Sequence, residues 1–585
     1  MLGGAMILTV ALMLVKVIGA VFKLPLAYAV SIEGMGYFDS AYNIYLPIYA
    51  IAITGLPIAV SRMVSQRCTL GLYNDVREIH RVSMRLFLAV GVVGTLAMFA
   101  LIYPAARNST GKMDSIPAMV AIAPTIFFCC VMSAYRGYYE GMRNMIPTSV
   151  SQVIEAACKM VLGLALAALV GRAGANEYAA SGTVFGKTAA SPDAANSLIY
   201  PWAAAAAILG ITAGSVLGLI YLWLRFRIRG DGITKEMLAE APPAQPKRAL
   251  RGEMIKIAIP MVISSSILSL TNFIDNFNVN WLLNKLVEKH PDVIERIYGG
   301  SFAQAGTMPE KRALYIWGVY STSLTFRTLI PTVVAALGVS ALPAISAAWT
   351  NRDKDTVQKT INTVLRMAMF IALPAGFGMA VLSGEIMTLF YEFEEKTRGM
   401  AEHAAPMLMI FGLATALMAV STPIISMLQG IGRTDIPVKS LVAGIIVKVG
   451  TNFLLVSRPE INVNGAVIGT VLFYAVIVIV NLFMLLRVSK TKVHVMSVLV
   501  KPLFCAGLCA AAAWLAKDLA LRFVPQFVES ERMVLLLAIA AAIALAVLVY
   551  AISMLLCRAV TREDLETLPM GKKLAKTLAK LHLIG

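Results

Sequence analysis

A charge held at mid-bilayer costs on the order of 2.5–3.5 kcal/mol on insertion scales, so it needs a partner, water or a ligand. In this chain such residues are few. Lys16 and Lys23 lie in the first apolar run, seven positions apart. Seven steps of 100° return to within about 20° of the start, so both lysines share one helix face. Arg327 falls near the middle of the run at 313–338. Asp275 lies late in the run at 257–283, within Thr271-Asn272-Phe273-Ile274-Asp275-Asn276-Phe277-Asn278. Glu155 and Lys159 stand one turn apart in 147–170, and Lys448 with Asn452 repeat that spacing in 438–456.

Two chemistries can account for these residues. In the structural one, Glu155 neutralises Lys159 at i,i+4, Lys448 meets Asp275, and Lys23 reaches toward the interface. In the other, Lys16, Lys23 and Arg327 have too few acids nearby to pair with, and an anionic ligand completes them. Arginine offers a phosphate a bidentate fork, and lysine adds a mobile point charge. The trio is therefore expected to bind substrate. Asp275, Lys448, Asn452, Glu155 and Lys159 are expected to be coupling or structural charges.

Such residues need membrane helices to carry them. The chain is 58% hydrophobic and only 14% charged, against about 25% charged in soluble domains, and its mean hydropathy is +0.75. Apolar runs fall near 5–30, 42–61, 84–103, 117–138, 147–170, 198–224, 257–283, 313–338, 362–390, 404–428, 438–456, 463–486, 496–516 and 533–557. Each is long enough to cross or nearly cross about 30 Å of hydrocarbon. The expected fold is all-α and polytopic, with about fourteen transmembrane helices and no separate soluble domain. Residues 1–15 carry no basic segment, and Lys16 interrupts the apolar core, so the first run reads as a retained helix despite the cleavage-like Ala27-Tyr28-Ala29.

The net charge of +18 is concentrated in alternate connections: 62–81, 225–256, 350–360, 487–494 and the tail with Lys572, Lys573, Lys576 and Lys580. The opposite side holds 31–41, with Glu33 and Asp39, and the Glu-rich 391–403. This distribution suits an anionic cytoplasmic leaflet and excludes a nucleic-acid partner, which would need a basic patch on a soluble fold. Both termini are expected in the cytoplasm, as an even helix count requires. The seven cysteines include no CxxC pair, and His80, His290, His403, His494 and His582 lack ligand spacing. No metal and no cofactor is expected.

The chain also repeats itself. Gly55-Leu56-Pro57-Ile58-Ala59-Val60-Ser61 resembles Ala341-Leu342-Pro343-Ala344-Ile345-Ser346, an offset of 286 from Pro57 to Pro343. Glu140-Gly141-Met142-Arg143-Asn144-Met145-Ile146-Pro147 resembles Gln429-Gly430-Ile431-Gly432-Arg433-Thr434-Asp435-Ile436-Pro437, an offset of 290 from Pro147 to Pro437. Two matches in the same order imply duplication. With six spans in each copy, both enter the membrane in the same direction, as a parallel repeat of two six-helix lobes plus two C-terminal helices. The expected domains are an N-terminal lobe at 1–226, a basic and Pro-rich cytoplasmic linker at 227–254, a C-terminal lobe at 255–490, and two helices with a basic tail at 491–585.

The segments Lys16-Val-Ile-Gly-Ala-Val-Phe-Lys23-Leu-Pro25, Glu33-Gly34-Met-Gly36 and Gly55-Leu-Pro57-Ile-Ala-Val-Ser61 resemble the oligosaccharide-lipid and polysaccharide flippase branch of the multidrug/oligosaccharidyl-lipid/polysaccharide exporter superfamily. The nearest group is that of stage V sporulation protein B and the lipid II flippases. Arg327-Thr-Leu-Ile-Pro331 and Leu342-Pro343-Ala-Ile-Ser346 resemble their eighth-helix signature. The resemblance implies two lobes around a V-shaped cavity in a bacterial plasma membrane. It implies a polyprenyl-diphosphate-linked sugar moved to the outer leaflet, with Lys23 and Arg327 on the diphosphate and Lys16 beside them. Membrane lipids and cell-wall synthases are the implied partners. Where relatives bind sodium through acids on the seventh and eleventh helices, this chain offers Asp275, Lys448 and Asn452.

The rival transporter is a cation-coupled multidrug exporter of the same fold, which wants acids where these cations stand. A membrane glycosyltransferase is a third possibility, and Asp353-Lys354-Asp355 imitates its metal motif. The expectation is a transporter and not an enzyme.

Overall fold

In a bilayer every backbone polar group must be satisfied within its own segment, which makes long apolar runs helical. A computed structural model describes residues 2–50, 56–108, 112–142, 144–394, 397–557 and 559. It is 87% helical, and the only strands among the described residues are the two-residue pair Thr183–Val184 and Lys187–Thr188. Helices alone can therefore cross the membrane. The basic tail from 560 onward lies outside the described residues.

The chain divides into two compact units, Met1–Ser321 and Thr322–Gly585. The first contains α1 (Leu2–Ala50), α2 (Leu56–Thr69), α3 (Tyr73–Asn108), α4 (Ile116–Gly141), α5 (Ile146–Ser181) and α6 (Pro192–Arg229). It continues with α7 (Lys235–Glu240), α8 (Lys247–Lys289), α9 (Pro291–Gln304) and most of α10 (Arg312–Arg327). The second contains α11 (Leu329–Thr350), α12 (Lys354–Val381), α13 (Ser383–Tyr391), α14 (Met400–Gly430), α15 (Asp435–Leu455), α16 (Asn464–Ser489), α17 (Lys501–Phe523) and α18 (Glu531–Leu556).

Ten helices among the described residues are long and apolar enough to cross a membrane. The other four expected spans fall on the two limbs of α1 (the second leading into α2), on α8, and on α10 with α11. Those are the segments that carry Lys16, Lys23, Asp275 and Arg327. Two of them are interrupted: α1 kinks at Ser31 (φ 64°, ψ 177°), and α10 ends at Arg327, two residues before α11 begins.

Close helix contacts of one kind occur in each unit. In the first, α2 lies on α4, and a methyl group on Gly137 would come within 2.7 Å of the Pro57 carbonyl oxygen. In the second, α11 lies on α14, and a methyl on Gly338 would come within 3.0 Å of Pro423 Cα. Small residues let helices approach closely where no hydrophobic force drives them together. The partners then continue in parallel, α3 on α4 and α5 on α6 against α12 on α14 and α15 on α16.

Within the first unit, alternate connections meet at common ends, as helices running up and down require. At one end Lys311 pairs with Asp114 and Ser197 donates to Glu33. At the other, Arg67 pairs with Asp75 at 3.2 Å and Glu253 at 2.8 Å, while Tyr138 donates to Asp231 at 2.9 Å.

Two connections differ from the sequence expectation. Residues 31–41 were expected as an outward loop but are helical and buried; Phe38, Ile32 and Met35 are too apolar to remain in water. The linker is docked rather than simply solvated. Asn74 donates to the carbonyls of Leu238, Ala241 and Pro242 at 3.0–3.1 Å, and the Gln245 amide donates to Asp75 at 2.7 Å. Ile233, Leu250 and Met254, interspersed among the basic residues, pack with Met63, Val64 and Ile79.

Candidate functional site

The kink at Ser31 turns the second limb of α1 back on the first. It thereby delivers Asp39 to Lys23, sixteen residues earlier, at 3.0 Å. Lys23 was expected to lack an acidic partner, and the structure corrects this. The expectation failed because it placed Asp39 in an open loop. The lysine side chain is still 22% exposed while that of Asp39 is only 6%, and Asp39 Oδ2 is buried without a hydrogen bond among the described residues. Lys16 lies on the same helix, its side chain outside the described residues.

The expected Glu155–Lys159 neutralisation is also revised. Glu155 Oε2 accepts from Arg136 Nη2 at 3.0 Å, and its Oε1 accepts from Ser215 at 3.4 Å. Arg136 Nε donates to Ser151 at 2.9 Å. The planar guanidinium can serve carboxylate and hydroxyl together, which an ammonium one turn away on the same helix cannot match. The Lys159 ammonium lies 5.1 Å from the Phe22 ring centre and 5.2 Å from that of Tyr42. Arg136 was missed in the sequence, although its signal was present: a lone arginine inside the apolar run 117–138.

Asp275 is buried on α8 and accepts from Tyr320 at 3.0 Å. In the second unit, Arg327 is half-buried at the end of α10, its guanidinium 5.5 Å from the ring centre of Phe411 on α14. No carboxylate lies within ion-pair distance of it among the described residues. A ring face attracts a cation without neutralising it. Lys448 is buried 5.7 Å from the Phe473 ring centre. Asn452, fully buried on the same helix, lies against Gly469, where a methyl group would collide with its amide oxygen.

Among the described residues no three His, Cys, Asp or Glu side chains are grouped to hold a metal ion. The motif-like Asp353 is a helix cap: it accepts from the Thr356 amide at 3.0 Å and hydroxyl at 2.6 Å. This hydrogen bonding holds its carboxyl below the usual range.

Comparison with known proteins matches both ends of the chain. A family described as "Lipid II flippase MurJ" matches residues 318–532, and one described as "Polysaccharide biosynthesis protein" matches residues 1–191. Lipid II flippase MurJ of Bacillus subtilis (strain 168) is 24% identical over 496 residues, which is 83% of this chain and 82% of the relative. Stage V sporulation protein B of the same organism is 23% identical over 477 residues, 80% of each chain. Two solved structures share the fold. The inward closed conformation of lipid II flippase MurJ gives a TM-score of 0.59 at 12% identity, covering 94% of this chain and 99% of that one. An inward-facing multidrug resistance MATE family transporter of the MOP superfamily gives 0.58 at 16% identity, covering 80% and 94%. The chain thus resembles the flippase branch of that superfamily by sequence, and the wider superfamily by fold.

Proposed function

We propose that this flippase-like chain moves a polyprenyl-diphosphate-linked sugar, a lipid II-like cell-wall or polysaccharide precursor, from the inner to the outer leaflet by alternating access. The observation that carries this reading is Arg327: a permanent cation on a membrane helix, held against an aromatic face and left un-neutralised by any described carboxylate. An anion is the ligand that such a group stabilises. The fold does not separate a lipid flippase from a drug exporter, since both share it. The sign of the charge does.

Lys23 is the second diphosphate ligand, with Lys16 beside it. In the structure its ammonium is held by Asp39, so binding is an exchange in which phosphate oxygens replace one carboxylate oxygen. The exchange keeps the lysine compensated whether substrate is present or not, and it spares the apo state an unpaired intramembrane charge. Asp275, Lys448, Asn452, Glu155 and Lys159 set the stability of the helices around this chemistry. The chain functions in a bacterial plasma membrane with both termini in the cytoplasm, where its basic linker faces anionic lipid, and cell-wall synthases are its partners.

The test is leaflet-resolved translocation of a fluorescent polyprenyl-diphosphate sugar in proteoliposomes, wild type against Arg327→Ala. Protein-dependent movement lost in the variant supports the reading. Absence of movement together with transport of a cationic dye replaces it with the drug-exporter reading.

A further inference from the structure

The segment that joins the first two expected spans leaves Ser31 in a left-handed conformation that a non-glycine residue adopts only under strain (φ 64°). It then continues as buried helix. Two residues beyond the hinge, Glu33 is 3% exposed. The groups facing it come from every connection at that end of the first unit. Ser197 of α6 donates to its Oε2 at 3.3 Å. Asp193, in the first turn of α6, and Asp114, in the turn at Lys112–Ser115, add negative charge, while Lys311, in the turn at Pro309–Lys311, adds positive. Tyr37, one turn along α1, accepts from Lys311 at 2.9 Å. The tally is three carboxylates against one ammonium, and that ammonium is already engaged by Asp114 and Tyr37.

We propose that Glu33 is a proton-operated latch: protonated, it keeps the 31–41 segment seated against α6 and the two turns, and ionised, it loosens that seat. The balance of forces supports it. Burial is the largest influence and pushes the Glu33 carboxyl from 4.5 up to about 7; Lys311 and Ser197 oppose the rise, and Asp114 and Asp193 add to it. The packed arrangement therefore binds a proton that a solvated Glu33 would release. Its stability falls as pH rises from about 4.5 to about 7 and is level above that window. A transporter with this latch has its segment firmly seated in acid and freed near neutrality. The link to the transport cycle rests on the function proposed above; the latch itself does not.

The experiment is amide hydrogen exchange on the full-length protein in phosphatidylglycerol/phosphatidylcholine nanodiscs, corrected for the intrinsic pH dependence of exchange. For peptides covering 31–41, wild-type protection falls about tenfold or more between about pH 5.5 and about pH 8.5. In Glu33→Gln, which mimics the protonated acid, protection stays high and flat. In Asp114→Asn, Lys311 is released toward Glu33 and the transition moves to lower pH. A flat wild-type profile overturns the latch, with no variant needed. So does an unchanged transition in Glu33→Gln, provided that peptides from α14 show a folded protein. Leaflet-resolved transport on the same samples separates the two readings: a pH-dependent latch without lipid movement sinks the flippase, while lipid movement with a flat profile sinks the latch.

Discussion

Similar helix contacts recur in the two units, yet Arg136 and Lys23 of the first and Arg327 of the second are met in different ways. In the first, Arg136 and Lys23 are met by carboxylates, Glu155 and Asp39, each at 3.0 Å. In the second, Arg327 rests on the ring of Phe411, with no carboxylate at ion-pair distance among the described residues. α2 packs on α4 and α11 on α14 through close backbone approach at small residues. A carboxylate-paired cation is largely spent on structure, whereas a ring-supported one keeps its full charge for an incoming anion. On the proposed function, Arg327 is ready for phosphate, and Lys23 must first give up Asp39.

The sharpest break in this comparison is removal of the ring-supported arginine. Arg327→Ala is expected to abolish translocation, by about 100-fold or more, with normal membrane levels and an unchanged midpoint of thermal unfolding. Arg327→Lys should restore only part of the activity, because the ammonium lacks the fork. Lys23→Ala should also abolish transport with normal membrane levels. Equal activity in wild type and both alanine variants would remove the basis for an anion site.

The paired arginine should behave in the reverse way. Arg136→Ala leaves the half-buried Glu155 without its charged partner, which costs at most about 3–5 kcal/mol. Denaturant unfolding should show that loss, and Arg136→Ala combined with Glu155→Gln should recover much of it. A single variant as stable as wild type would mean that the pair does not hold α4 to α5.

Asp39→Asn tests the exchange at Lys23. With the competing carboxylate neutralised, the ammonium is freed for the diphosphate, and binding of a polyprenyl-diphosphate lipid should tighten by about two- to tenfold, on the order of 1 kcal/mol. Weaker binding in this variant would make Asp39 a positioning partner of Lys23 and not its placeholder.

How much of this could be read from the sequence follows from which forces are local. The spans were legible because the bilayer demands about 20 apolar residues in a row whatever the neighbouring helices do. The internal repeat was legible from Pro57 with Pro343 and Pro147 with Pro437, which recur in the same order at nearly one offset. Partners were not legible. That Asp39 reaches Lys23 depends on a kink at Ser31, where neither glycine nor proline marks the bend; Pro25 lies six residues too early. That Glu155 chooses Arg136 over Lys159 depends on how α4 lies beside α5 and α6. The docking of 227–254 turned on three apolar residues, Ile233, Leu250 and Met254, scattered through a basic stretch that outweighed them by count.

The smallest expected effect tests whether charge matters only where the helices hold it. Lys354 is exposed at the first position of α12, and its neighbour Asp353 spends its carboxylate on the Thr356 amide and hydroxyl. If Asp353-Lys354-Asp355 were a metal-binding catalytic motif, replacing either acid would stop activity and a chelator would do the same. As a capped helix start in water, it should tolerate Lys354→Ala silently. Asp353→Asn should also be silent, because asparagine accepts the same amide hydrogen bond at an N-cap. Translocation in proteoliposomes with and without chelator distinguishes these outcomes. Loss of transport in Lys354→Ala would show that a solvated cation can matter as much as one held in the membrane, and the contrast drawn from Arg327 and Arg136 would no longer explain which charges carry substrate.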